Sequence, residues 1–181
     1  YAFGEKSQIY VSRDGGNTFC EKVQPEGFPE VEFHKIDGAN KTEVRADAGR
    51  SGIFYMALRE HGLWKVWYNA ESDELKAKRL TKDKETVYAV GLGILTPEGA
   101  YLGENKAIYI CGSIEGVYGF YRSFDDAESW ERINTNKQMF GNIMSIDGDS
   151  RTFGRFFLAT GTRGLVYGEP VSEEKQMQSI I

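Results

Sequence analysis

Cysteine and proline are scarce, with two Cys and four Pro in 181 residues. Two cysteines do not make a disulfide framework, and Cys20 and Cys111 stand at no metal-ligand spacing to the only histidines, His34 and His61. No metal site and no cofactor are expected. The residues leave two readings open for the pair, buried thiols or a disulfide between them. No apolar run approaches the ~20 residues of a membrane helix, and no signal-peptide pattern is visible in this segment. Net charge is −5 and the pI is near 5.2, with no basic stripe. That balance argues against nucleic acid or an anionic membrane as partner. A Ser/His/Asp context, a G-x-S-x-G elbow, a P-loop and a dinucleotide glycine fingerprint are all missing. Asn40-Lys41-Thr42 fits the N-glycosylation pattern and matters only in a eukaryotic secretory pathway.

What is present is aromatic and glycine-rich: 13% Phe, Trp and Tyr, and 21 Gly. This mixture suits many short strands and tight turns. Two copies of one motif, S-x-D-x-G/A-x-T/S-aromatic, organise the chain. They are Ser12-Arg13-Asp14-Gly15-Gly16-Asn17-Thr18-Phe19 and Ser123-Phe124-Asp125-Asp126-Ala127-Glu128-Ser129-Trp130. Each follows a short apolar run. This is the Asp-box, a hairpin turn that recurs once per blade in many β-propellers. Asp14 and Asp125 are placed to accept backbone N–H bonds inside the turn. Gly16 permits positive φ. Ser12, Thr18, Ser123 and Ser129 bond locally, and Phe19 or Trp130 closes the turn by packing between sheets. These residues are structural rather than catalytic.

Apolar runs entering turns recur at Ser12, Val66, Ser123 and Gly168, spaced 45–57 residues apart. A four-stranded blade with its loops takes about 40–50 residues. The expected fold is therefore an all-β propeller segment: three to four blades of four-stranded antiparallel sheet, too few to close a ring alone. Residues 1–170 form the partial propeller and 171–181 a polar tail. Inner strands are expected near Thr42–Asp47, Thr86–Gly91 and Asn142–Asp147. Residues 67–73 keep no Ser-x-Asp pattern, so the middle blade has lost its box. Charge and helix-forming residues point to a helical segment around Asp73–Arg79.

Gly112–Ser123 and Gly154–Gly168 carry a more specific resemblance, supported by Ile133-Asn134, Phe140-Gly141-Asn142, Gly148-Asp149 and Val90-Gly91-Leu92-Gly93. These strings resemble the closing blades of glycoside hydrolase family 74, the xyloglucanases and reducing-end-specific xyloglucan cellobiohydrolases. The resemblance covers roughly residues 1–170. It implies two tandem seven-bladed propellers, this segment being about three to four blades of the second, with xyloglucan or a related β-glucan in the cleft between them. It also implies inverting cleavage by one Asp from each propeller, with carboxylates ~6.5–9.5 Å apart. The family's second-propeller carboxylate lies early in that propeller, so no catalytic residue is identifiable in this segment. The segment alone is expected to be inactive. Asp37, Asp47 and Asp147 match no catalytic motif and read as solvated or turn-forming. The parent would be secreted, and the remaining blades of the same protein would be partners.

Loops joining second to third strands, and fourth to the next first strand, share one face of a propeller. They offer His61, Tyr118, Gln138, Phe140 and Arg163 as candidate glycan contacts, because aromatic faces stack on sugars and polar side chains bond hydroxyls. A non-catalytic Asp-box propeller binding a protein or glycan, sortilin-like or assembly-factor-like, is the alternative. A sialidase would need several arginines on inner strands, and Arg45 is the only one there.

Overall fold

In a computed structural model, residues 1–4, 6–31, 42–96 and 106–170 are described. They hold fourteen strands and no helix. β1 (Ala2–Phe3), β2 (Ile9–Val11) and β3 (Cys20–Lys22) form the first sheet. β4 (Glu43–Ala46), β5 (Ile53–Ala57), β6 (Leu63–Asn69) and β7 (Glu74–Arg79) form the second. β8 (Thr86–Gly93), β9 (Ala107–Ile114), β10 (Val117–Ser123) and β11 (Glu131–Arg132) form the third. β12 (Ile143–Gly148), β13 (Phe156–Thr160) and β14 (Gly164–Gly168) form the fourth. Strands pair in sequence order and antiparallel throughout. These are four consecutive propeller blades, as the spacing of turns predicts.

Strand β5 explains why the apolar runs are continuous rather than alternating. Side chains along a strand face opposite sides in turn. Phe54 and Met56 pack toward the first blade with Ile9, Val11 and Trp64. Tyr55 and Ala57 pack toward the third blade with Val87, Val90 and Ile110. In β9, Ile108 and Ile110 join that second seam, while Tyr109 and Cys111 join a third with Phe120, Ile146 and Leu158. Inner blades thus bury both faces. The end blades do not. Leu158 lies in the third seam, so Phe157 and Ala159 face away from it, beside their register partners Tyr167 and Leu165. Leu165 is 71% exposed and Tyr167 64%. No apolar cluster of the described residues joins the first and fourth blades, which leaves an open arc.

Both Ser-x-Asp turns join the last two strands of their sheets, β2 to β3 and β10 to β11. Asp14 accepts from Ser12 Oγ at 2.8 Å, Thr18 N at 2.9 Å and Thr18 Oγ1 at 2.6 Å. Asp125 accepts from Ser123 Oγ at 2.8 Å, Ser129 N at 3.0 Å and Ser129 Oγ at 2.5 Å. Ala127 takes the left-handed backbone (φ 71°) that Gly16 takes at 94° in the first turn. Its methyl is buried against the seam between the second and third blades, which offsets the conformational cost. Hydrogen bonds from Thr18 and Ser129, respectively, hold the Asp14 and Asp125 carboxyls down at about 2. Their stabilising effect is present above the ordinary carboxylate range and is lost as pH falls toward about 2. Asp125→Ala is expected to cost about 1 kcal/mol, because the turn is solvated and water replaces part of each lost bond. A urea midpoint unchanged from wild type would contradict this.

The boxless turn of the second blade has its own devices. Asn69 Oδ1 accepts from Glu71 N at 2.9 Å. Asp73 accepts from Arg13 at 2.8 Å and Lys22 at 2.7 Å, tying this turn to the first blade.

Three expectations are corrected or fall outside this description. Residues 74–79 are β7, not a helix: Leu75 and Ala77 lie two apart and point into the first seam, so packing overrides helix propensity. Cys20, on the outermost strand of the first blade, is exposed rather than buried. Both cysteines are free, and Cys111 is buried. His34, Asp37, Asn40 and Lys41 of the glycosylation pattern, and the tail 171–181, lie outside the described residues.

Candidate functional site

Antiparallel order places the β5–β6, β9–β10 and β13–β14 turns on one face, with the β7–β8 and β11–β12 links. The two Ser-x-Asp turns lie on the opposite face. All five candidate contacts map to the first face, in different settings. His61 holds its turn through the backbone: its N–H donates to Leu58 O at 3.0 Å, and its carbonyl accepts from Trp64 Nε1 at 2.9 Å. Arg163 is exposed, with its N–H donating to Thr160 Oγ1 at 2.9 Å. Gln138 Oε1 is occupied within its own loop, accepting from Thr135 N at 3.1 Å and Oγ1 at 3.0 Å. Phe140 stacks on Phe120 with ring centroids 6.3 Å apart. The Tyr118 hydroxyl lies 3.1 Å from Cys111 Sγ. Tyr118 and Phe140 meet in one apolar cluster, whereas His61, Gln138 and Arg163 stand on separate loops.

Two further residues complete a row with Tyr118. Tyr88 sits on the innermost strand β8 at a register shift between Val87 and Ala89, and the residue is 36% exposed. A bulge re-aims the side chain it carries. Its ring centroid is 6.2 Å from that of Tyr118. From the second blade, the Arg59 guanidinium lies 5.7 Å over the Tyr88 ring. Arg59 is fixed there by a two-way backbone bridge to Val87, at 2.8 and 2.9 Å, and takes a left-handed φ of 56°. The result is an Arg–Tyr–Tyr row crossing from the second blade to the third. The one aromatic of β8 was the available signal. The bulge that turns it to solvent was not legible.

Deeper toward the axis, the innermost strands of three blades meet in a polar knot. Glu43 of β4 accepts from Ser145 Oγ of β12 at 2.6 Å and from Val90 N of β8 at 3.1 Å. It also pairs with Arg45, whose Nη2 donates to Ser145 Oγ at 2.8 Å. Burial pushes the Glu43 carboxyl above its ordinary range, opposed by the Ser145 and Val90 donors and the Arg45 charge. Its oxygens are already engaged, so the knot joins blades rather than offering a free acid. Asp147 accepts from Leu92 N at 3.0 Å and Asp47 from Gly49 N at 2.9 Å, both structural roles. Burial pushes the Cys111 thiol up to about 11, which leaves it un-ionised and inert. Among the described residues, no group of three or more His, Cys, Asp or Glu is placed to hold a metal ion. No described helix is long and apolar enough to cross a membrane.

No protein-family model matches the chain. Individual proteins do. The chain is 37% identical over 175 residues to the xyloglucanase Xgh74A of Acetivibrio thermocellus, covering 96% of this chain and 18% of that protein. It is 30% identical over 166 residues to the oligoxyloglucan-reducing end-specific xyloglucanase of Emericella nidulans, covering 88% of this chain and 18% of that one. The crystal structure of the GH74 xyloglucanase from Xanthomonas campestris superposes with a TM-score of 0.71 at 30% identity, over 91% of this chain and 21% of that one. The resemblance to glycoside hydrolase family 74 is thereby borne out. The chain spans about a fifth of the length of these relatives.

Proposed function

We propose that this chain is the later part of a propeller in an inverting, xyloglucan-cleaving glycoside hydrolase, with the acid and base carboxylates outside residues 1–181. The observation that carries this reading is similarity to xyloglucanases along nearly the whole chain. The two Ser-x-Asp turns are then Asp-box repeats. The uncovered face of the fourth blade, with Leu165 and Tyr167, is where the next blade of the parent stacks. The parent acts outside the cell, in keeping with a polymeric substrate. Within this segment, glycan contacts are assigned to the face carrying the Arg59–Tyr88–Tyr118 row, with His61, Gln138, Phe140 and Arg163 around it.

Exposed tyrosine beside a fixed guanidinium suits a sugar ring: the aromatic face takes the C–H side and the cation bonds hydroxyls. In the full-length protein, Tyr88→Ala and Arg163→Ala are each expected to raise KM for xyloglucan about tenfold, with kcat held within about twofold. Circular dichroism should stay unchanged. A wild-type protein inert toward xyloglucan overturns the reading. Unchanged KM in both variants removes this face from the site.

A further inference from the structure

A second concave surface lies on the outer flank of the blades. It is a groove of about 900 Å³ between β7 of the second blade and β10–β11 of the third. Its floor is apolar: Leu80, Ile114 and Tyr121 are each less than 10% exposed, and Trp130 lies half-buried against the same cluster. Two ion pairs cross it from blade to blade. Lys82 reaches Glu115 at 3.1 Å at one end, and Lys78 reaches Glu128 at 3.9 Å at the other. The carboxylate of Glu85, only 4% exposed, accepts from Lys82 N at 2.8 Å and Glu115 N at 3.3 Å. One buried group thereby fixes both lips.

The chemistry of the walls selects a ligand class. Four basic and four acidic side chains line the groove, so it presents no net charge to an anion or a cation. The Trp130 indole N–H has no hydrogen-bond partner among the described residues. An apolar aromatic floor with a free N–H, rimmed by side chains that both donate and accept, matches a neutral polyhydroxylated chain. The molecule contains its own comparison. The corresponding groove between the first and second blades is about 500 Å³, has no aromatic lining residue, and carries two more acidic than basic groups. There Asp73, which precedes β7 as Trp130 precedes β11, stands in the place of the indole.

We propose that the groove between the second and third blades is a second glycan site, taking a neutral oligosaccharide on Trp130. It is separate from the substrate face assigned above. The identity of the glycan rests on that functional reading; the existence of the groove does not. Its upper lip, Lys82 and Glu115, belongs to loops of the substrate face, and its lower end to the Ser-x-Asp turn. A chain leaving the first face therefore has a continuous path onto the flank.

The test is calorimetric titration of the full-length protein with a xyloglucan heptasaccharide, with an acidic oligogalacturonide as control. Two binding events are expected for wild type. One of them should weaken roughly tenfold in Trp130→Phe and in the Lys82→Ala/Glu115→Ala double variant, while the other is unmoved. Phe is the residue the first turn already uses at this position, and thermal unfolding checks both variants. If Trp130→Phe does not fold, the double variant carries the test. A single binding event that neither variant alters overturns the second site and leaves the proposed substrate face standing. Equal affinity for the acidic control at the groove overturns the ligand class. No binding to wild type overturns both readings.

Discussion

Gly91→Ala is expected to lower stability by about 3 kcal/mol or more, toward the upper end of what overpacking costs. The cause is the close approach of β8 and β12. A Cβ on Gly91 would stand 2.4 Å from Asp147 Cα and 2.4 Å from Ile146 O. Both are backbone atoms, so no rotamer change makes room. The same crowding repeats one pleat on, where a Cβ on Gly148 would stand 2.6 Å from Gly93 Cα. Only glycine lets two innermost strands meet backbone to backbone, and the Leu92 N–H to Asp147 bond at 3.0 Å crosses at that point. Gly15→Ala is the control. Gly15 has φ of 73° and nothing within 4 Å of its Cβ position, so only the conformational cost of about 1–2 kcal/mol applies. Chemical unfolding of both variants separates the two mechanisms. Equal losses would show that the seam relaxes and that the close approach is not what these glycines serve.

The fold was legible where both faces of a strand are buried. Runs such as Ile53–Ala57 and Ala107–Ile114 are apolar on successive residues because each side meets a neighbouring blade. The Ser-x-Asp turns set the register of blades along the chain, since their hydrogen bonds are local and written in consecutive residues. Strand β7 was misread because Glu, Lys, Leu and Ala favour helix in isolation, although Leu75 and Ala77 already showed a period of two. The site was less legible. Tyr88 owes its exposure to a bulge and its partner Arg59 to a bridge between blades. The flank groove is assembled from residues near 80, 115 and 130, which no local pattern connects. Family resemblance supplied the proposed substrate class. It supplied no catalytic carboxylate, because no position in this segment matches a catalytic motif that it implies.

Removing Glu43 is expected to cost about 2–4 kcal/mol as Glu43→Ala, since it strips one partner from a group of buried polar atoms. Only 11% of the Glu43 side chain is exposed. Its loss would leave the Val90 N–H and the Ser145 hydroxyl short of an acceptor, with Arg45 close by and unpaired. The three innermost strands would lose their common tie together, so unfolding should also become less cooperative. Glu43→Gln keeps one acceptor oxygen and should lose less. The pH dependence distinguishes charge from geometry. Because burial raises the folded-state pKa of Glu43, the native protein holds this proton more tightly than the unfolded chain. Stability therefore falls as pH rises from the ordinary carboxylate range through that raised value. Asp14 and Asp125 act in the opposite direction and at lower pH, toward about 2, so the windows do not overlap. Urea midpoints measured from the ordinary carboxylate range upward should decline in wild type and lie flat in Glu43→Gln. The same slope in both would mean that the carboxylate is as comfortable in the knot as in water, with its three donors offsetting burial in full.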